Sequence, residues 1–91
     1  MLVLGIDPGL ATTGYGLILT EARKEYECIA YGVITTESGL PDSERLKAVY
    51  ASIKELIQHH QPETTAVEKL FFQKNVKTAL SVGQARGVVL L

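Results

Sequence analysis

Leu2-Val3-Leu4-Gly5-Ile6-Asp7-Pro8-Gly9 is an apolar run that stops on an acid, a proline and a glycine. Proline fixes φ and removes a backbone donor, and glycine permits the turn, so the run reads as a fully buried strand that cannot continue beyond Asp7. A carboxylate is thereby placed at the carboxyl end of a strand. Outward from this stretch, Tyr15 to Thr20 and Tyr26 to Thr35 are two further β-rich runs, separated by the charged turn Glu21 to Glu25. Three such runs in succession predict an antiparallel meander. Gly14 and Gly16 bracket Tyr15 and weaken the strand signal there.

Gly39, Leu40 and Pro41 break the pattern, after which Asp42 or Ser43 is placed to cap a helix with Leu46, Val49, Tyr50, Ile53, Leu56 and Ile57 on one face. Pro62 requires that helix to end at His59 or His60, and Thr64 to Glu68 then reads as a fourth strand. A second helix is expected from near Asn75 to the last residue. The chain finishes on Val88-Val89-Leu90-Leu91 with no glycine stop or polar tail, a pattern that reads as a domain interrupted at its carboxyl end. No repeat or linker divides residues 1–91, which are expected to form one incomplete domain.

A meander makes the third strand parallel to the first, and a helical crossover makes the fourth parallel as well. Asp7 and Glu68 should then lie at the same end of the sheet. If the fourth strand adjoins the first, their backbones are ~4.8 Å apart, near enough for the two carboxylates to share divalent cations. Oxygen ligands suit Mg²⁺, and paired metals bind the attacking and leaving oxygens of a phosphodiester displacement. Two acids are too few for a complete site of that kind, and an acid at a strand end is equally common as a purely structural feature.

Composition is that of a soluble globular chain: 91 residues, 46% hydrophobic and 21% charged. No window approaches the roughly 18 apolar residues of a membrane span, and no basic, apolar leader opens the chain, which leads to a cytoplasmic expectation. The net charge of -1 excludes a uniformly basic surface, but the charge is unevenly spread. Residues 1–68 hold ten acids and five bases, whereas Lys69, Lys74, Lys77 and Arg86 follow with no acid among them. That basic segment suits a phosphate backbone led towards Glu68, and it suits a solvated helix face equally well. Cys28 is the only cysteine and is expected to be buried and inert.

Two blocks carry a family resemblance. Gly5-Ile6-Asp7-Pro8-Gly9 with Thr13-Gly14-Tyr15-Gly16 resembles the opening of RuvC-type Holliday-junction resolvases. Ala66-Val67-Glu68-Lys69-Leu70-Phe71-Phe72, then Asn75, Thr78-Ala79 and Val82-Gly83-Gln84-Ala85-Arg86-Gly87, resembles that family's segment around its second catalytic acid, and the last run is the more specific signal. The resemblance implies an RNase H-like α/β fold, a homodimer, Mg²⁺-dependent nicking of four-way DNA junctions with Mn²⁺ as substitute, and action beside the RuvA-RuvB branch-migration machinery. It makes Asp7 and Glu68 catalytic metal ligands and Phe71 a base contact; the charge pattern, rather than the resemblance, places Lys69, Lys74 and Lys77 to attract phosphates, and Phe72 is left to packing.

The family's remaining acids come from a later helix. Asp42, Glu44 and Glu55 belong to the solvated face of the first helix and are no substitute, so the chain alone is expected to be weak or inactive as a nuclease. His59 and His60, adjacent in a helix, should not face one another and are expected to serve its terminal carbonyls. Ala79, Gly83 and Gly87 recur every four residues, a smooth stripe suited to packing on the chain's own sheet or on a second subunit. Two other functions stay open on the residues: an actin-like or sugar-kinase-type phosphate-binding domain, which shares the Asp-x-Gly turn, and a DNA-binding module without catalysis.

Overall fold

The computed structural model describes residues 1–21, 26–69 and 76–91, the side chains of 76–78 excepted. Its elements in chain order are β1 (Leu2–Asp7), β2 (Thr12–Leu19), β3 (Glu27–Thr35), α1 (Asp42–His60), β4 (Thr64–Val67) and α2 (Val76–Leu90). They form a four-stranded mixed sheet in the order β3-β2-β1-β4, with the meander antiparallel and β4 parallel to β1. The adjacency on which the carboxylate pair depends is therefore present.

Alternation along β1 turns Leu4 and Ile6 to one face, where they meet Leu17 of β2, Val49 and Ile53 of α1 and Val89 of α2. Burying each such side chain contributes about 1.5–3 kcal/mol, so this one layer of aliphatic contacts dominates the packing energy. The opposite face is open among the described residues, with Tyr31 82% and Val33 63% exposed. This corrects the expectation that β1 is buried on both sides: only Leu4 and Ile6 are fully enclosed, because the core helices cover a single face.

Further expectations are revised. Cys28 is exposed, since it pairs with Ile18 on the open face just past an irregularity in the β2–β3 register. β2 starts at Thr12, ahead of Tyr15, with Gly14 and Gly16 inside it, held by partners on both sides. Neither Asp42 nor Ser43 caps α1: Pro41 occupies the cap position, and its carbonyl accepts from the amides of Glu44 and Arg45. At the other end Gln61, at φ 53°, gives its amide to the Ile57 carbonyl and its side-chain Nε2 to Gln58. Gln61 thus takes the role expected of the histidines. The rings of His59 and His60 do meet, edge to face at 4.6 Å. Gly83 and Gly87 are open, with no atom beyond the adjoining helix backbone within 4 Å of where a Cβ would stand, so this part of the stripe is not pressed against the sheet.

Candidate active site

The site grows from the end of β1. Ile6 faces the core, so Asp7 faces the open side and is exposed. β4 pairs Ile6 with Val67, and the next step of the register is closed by the Glu68 amide donating to the Ile6 carbonyl at 3.0 Å. Asp7 and Glu68 consequently follow matched residues on adjacent parallel strands, and their carboxyls are in hydrogen-bond contact. In its protonated form Glu68 has a hydroxyl to donate to Asp7. That bond, then the negative charge of Asp7, then slight desolvation, raise the Glu68 carboxyl above its ordinary range.

The floor beside the pair lacks side chains. Asp7 is opposite Gly14, and Gly5 is opposite Gly16, so three glycines occupy the same open face. A Cβ at Gly14 would come 3.7 Å from that of Asp7, and one at Gly16 would meet nothing within 4 Å. The glycines that weaken the strand signal in the sequence thus leave an uncluttered approach to the carboxylates, a role with no sequence signature of its own.

The segment after Asp7 is tied down. Gly9 fits against the Thr12 carbonyl so closely that a Cβ would be 2.2 Å from that oxygen. Buried Thr13 gives its hydroxyl to the Gly9 carbonyl at 2.6 Å and accepts from the Gly9 amide at 3.3 Å. The Thr36 hydroxyl donates to the Leu10 carbonyl at 2.7 Å while accepting from Arg45 Nε at 2.9 Å. On the other strand, Arg86 Nε donates to the Glu68 carbonyl at 3.3 Å. Sequence reasoning placed Arg86 in a basic segment and in the Val82 to Gly87 family motif without a partner, and did not single out Arg45 or Thr36, because partners 9 to 26 residues away leave no periodic trace.

Lys69 is exposed directly after Glu68. Phe71, Phe72 and Lys74 lie outside the described residues, as does the side chain of Lys77 on α2. Asp42, Glu44 and Glu55 are exposed on α1, as expected. Among the described residues no three His, Cys, Asp or Glu side chains gather to hold a metal. The two acids that do meet form a hard, oxygen-only donor set with excess negative charge, which fits a divalent cation such as Mg²⁺.

A three-stranded meander, a helical crossover and a fourth strand parallel to the first, with acids at the carboxyl ends of the two adjoining parallel strands, is an RNase H-like arrangement. Within that class the chain belongs to the crossover junction endodeoxyribonuclease RuvC family, whose model matches residues 3–91. It is 58% identical over 92 residues to the family member of Moorella thermoacetica, across all of this chain and 54% of that protein. Against the member of Pelotomaculum thermopropionicum the identity is 50% over 91 residues, covering 100% of this chain and 55% of the relative.

Two solved structures agree. The Thermus thermophilus RuvC bound to a Holliday junction substrate superposes with a TM-score of 0.89 at 33% identity, covering 99% of this chain and 57% of that one. A second Thermus thermophilus RuvC structure gives 0.87 at 34% identity, with 99% and 55% covered. The chain spans about half the length of the relatives it matches. The family match removes the actin-like and sugar-kinase alternative. Among the described residues no helix is long and apolar enough to cross a membrane, and the relatives are bacterial.

Proposed function

We propose that this chain supplies residues 1–91 of a structure-selective endonuclease domain that nicks four-way DNA junctions by metal-assisted phosphodiester hydrolysis. The observation that carries the reading is the contact between Asp7 and Glu68 on adjacent parallel strands. Both would hold Mg²⁺, or Mn²⁺ in its place. When bound, the metal supplies charge stabilisation at the phosphate and lowers the pKa of water so that hydroxide is available as nucleophile.

The chain's own residues then divide the work. The two carboxylates fix where the cation charge sits, and the glycine floor of Gly5, Gly14 and Gly16 admits the substrate backbone to them. Lys69, Lys74 and Lys77 attract phosphates in a salt-dependent way. Phe71 stacks on a base that has left its pair at the crossover. The junction DNA, a second copy of the chain and the RuvA-RuvB complex are the proposed partners, in the bacterial cytoplasm.

Lengthening the chain with a family-type carboxy-terminal segment should give Mg²⁺-dependent nicking of synthetic junctions, which Asp7→Asn or Glu68→Gln abolishes while binding persists. Equal nicking by wild type and Asp7→Asn overturns the mechanism. That two acids and no third meet among the described residues favours a second reading for residues 1–91 by themselves, a module that binds junctions without cutting them. Gel-shift and nicking assays on the same samples separate binding from cleavage.

A further inference from the structure

Asp7 ends β1 and Glu68 directly follows β4, and an arginine of the helix layer is tied to the backbone near each, Arg45 through Thr36 and Arg86 directly. Arg45 of α1 donates Nε–H to the Thr36 hydroxyl at 2.9 Å, and that hydroxyl donates to Leu10 in the loop following Asp7 at 2.7 Å. The Thr36 amide closes on the neighbouring Ala11 carbonyl at 3.1 Å, so the loop is held at two successive residues. Arg86 of α2 donates Nε–H to the carbonyl of Glu68 itself at 3.3 Å. Both guanidinium groups belong to half-buried residues, and in both it is the nitrogen nearest the chain, the least free to swing, that makes the bond.

Strand pairing alone fixes Ile6 against Val67, the last matched pair before the acids. Beyond it Asp7 still pairs with Gly14, the Glu68 amide closes on the Ile6 carbonyl and Thr13 holds Gly9, while the Leu10 and Glu68 carbonyls take their bonds from outside the sheet ladder. Arg45 through Thr36, and Arg86 directly, supply those two bonds and add to the hold that Thr13 keeps on Gly9.

We propose that Arg45 and Arg86 are positioning residues, one for each carboxylate, through which the two helices set the spacing of Asp7 and Glu68 for a shared divalent cation. The inference rests on the carboxylate-pair reading above and adds residues that touch neither metal nor substrate. Groups that orient a metal's ligands from behind typically change affinity by roughly 10–100-fold when lost.

The test uses the 91-residue chain with Mn²⁺ as probe. Affinity is followed by electron paramagnetic resonance, the bound position by paramagnetic broadening of the Asp7 and Glu68 amides, and folding by the melting temperature. Thr36→Val keeps shape and removes the hydroxyl relay; Arg86→Lys keeps charge and removes the fixed Nε–H. Each should weaken Mn²⁺ binding by about tenfold or more while the protein stays folded at the assay temperature. Thr36→Ser, which retains the hydroxyl, should bind as wild type does. Undiminished affinity in Thr36→Val and Arg86→Lys overturns the proposal, as does a Thr36→Ser variant impaired as badly as Thr36→Val. If wild type and Asp7→Asn bind Mn²⁺ equally, the carboxylate-pair reading itself has failed and the positioning role falls with it; that result is recognised by its appearance before any Thr36 or Arg86 variant is compared.

Discussion

At the scale of single residues, the folded chain holds two carboxyls together, and the charge of Asp7 opposes ionisation of Glu68. Glu68 carries a pKa raised above its unfolded value, so its favourable contribution is present when it is protonated and is lost as pH rises through the raised value. In the presence of a chelator, Asp7→Asn should therefore melt at a higher temperature than wild type at neutral pH, since it removes the charge that Glu68 opposes. The gap should narrow as the solution is acidified through the Glu68 titration, and adding Mg²⁺ should raise the wild-type melting temperature more than that of Asp7→Asn. Scanning calorimetry over a pH series, with and without Mg²⁺, reads all three trends. Gly9 offers a sharper case: its Cβ position is 2.2 Å from the Thr12 carbonyl, which is backbone and has little room to yield. Gly9→Ala should cost about 1–3 kcal/mol in urea denaturation through overpacking, and should weaken Mn²⁺ binding by shifting the segment after Asp7.

Elements differ in what a substitution does to them. Leu4 and Leu17 are fully buried on the β1–β2 pair, and Val49 is fully buried on the facing helix. Leu17→Ala should lose about 2–5 kcal/mol, a large share of the stability of so small a domain, and chemical denaturation of the variant measures it. Tyr31 and Val33, by contrast, stand on the open face of the edge strand β3. Tyr31→Ser should leave the denaturation midpoint nearly unchanged, a few tenths of a kcal/mol at most, because a surface side chain away from any special contact carries little folding energy. If Tyr31→Ser instead destabilises strongly, the open face is covered in solution.

For the molecule as a whole, the separation of charge is the feature that bears on partners. Acids prevail through residue 68, whereas the segment from Lys69 onward carries only bases. Phosphate attraction and base contact can then be taken apart by mutation. Replacing Lys69, Lys74 and Lys77 with Gln should weaken duplex and junction binding alike and flatten the dependence of affinity on salt, each lost phosphate contact lowering the slope by about 0.9. Phe71→Ala in the lengthened enzyme should instead affect junctions selectively, by roughly 1–3 kcal/mol of stacking, and the defect should shrink when the crossover is already unpaired. Equal loss on duplex and junction, together with a lowered melting temperature, would assign Phe71 to packing.

What the sequence determined by itself is the order of the elements and the end of the sheet at which the acids stand. The stop at Asp7-Pro8-Gly9 and the Pro41 and Pro62 breaks are local events, set by proline and glycine backbone limits acting over a few residues. Chain direction then follows from connectivity, so Asp7 and Glu68 were both legible as strand-end acids, and the motif around Val82 to Gly87 was specific enough to point to the family. Contacts between distant segments were not legible. That β4 lies beside β1, that Gly5, Gly14 and Gly16 share one open face, that Cys28 is exposed, and that Arg45 and Arg86 reach back to the acid-bearing segments were decided only by the tertiary structure. The reason is physical: local periodicity records which face of an element is apolar, whereas a side chain's partner across the fold depends on which layers close over that face, and here only one side of the sheet is closed.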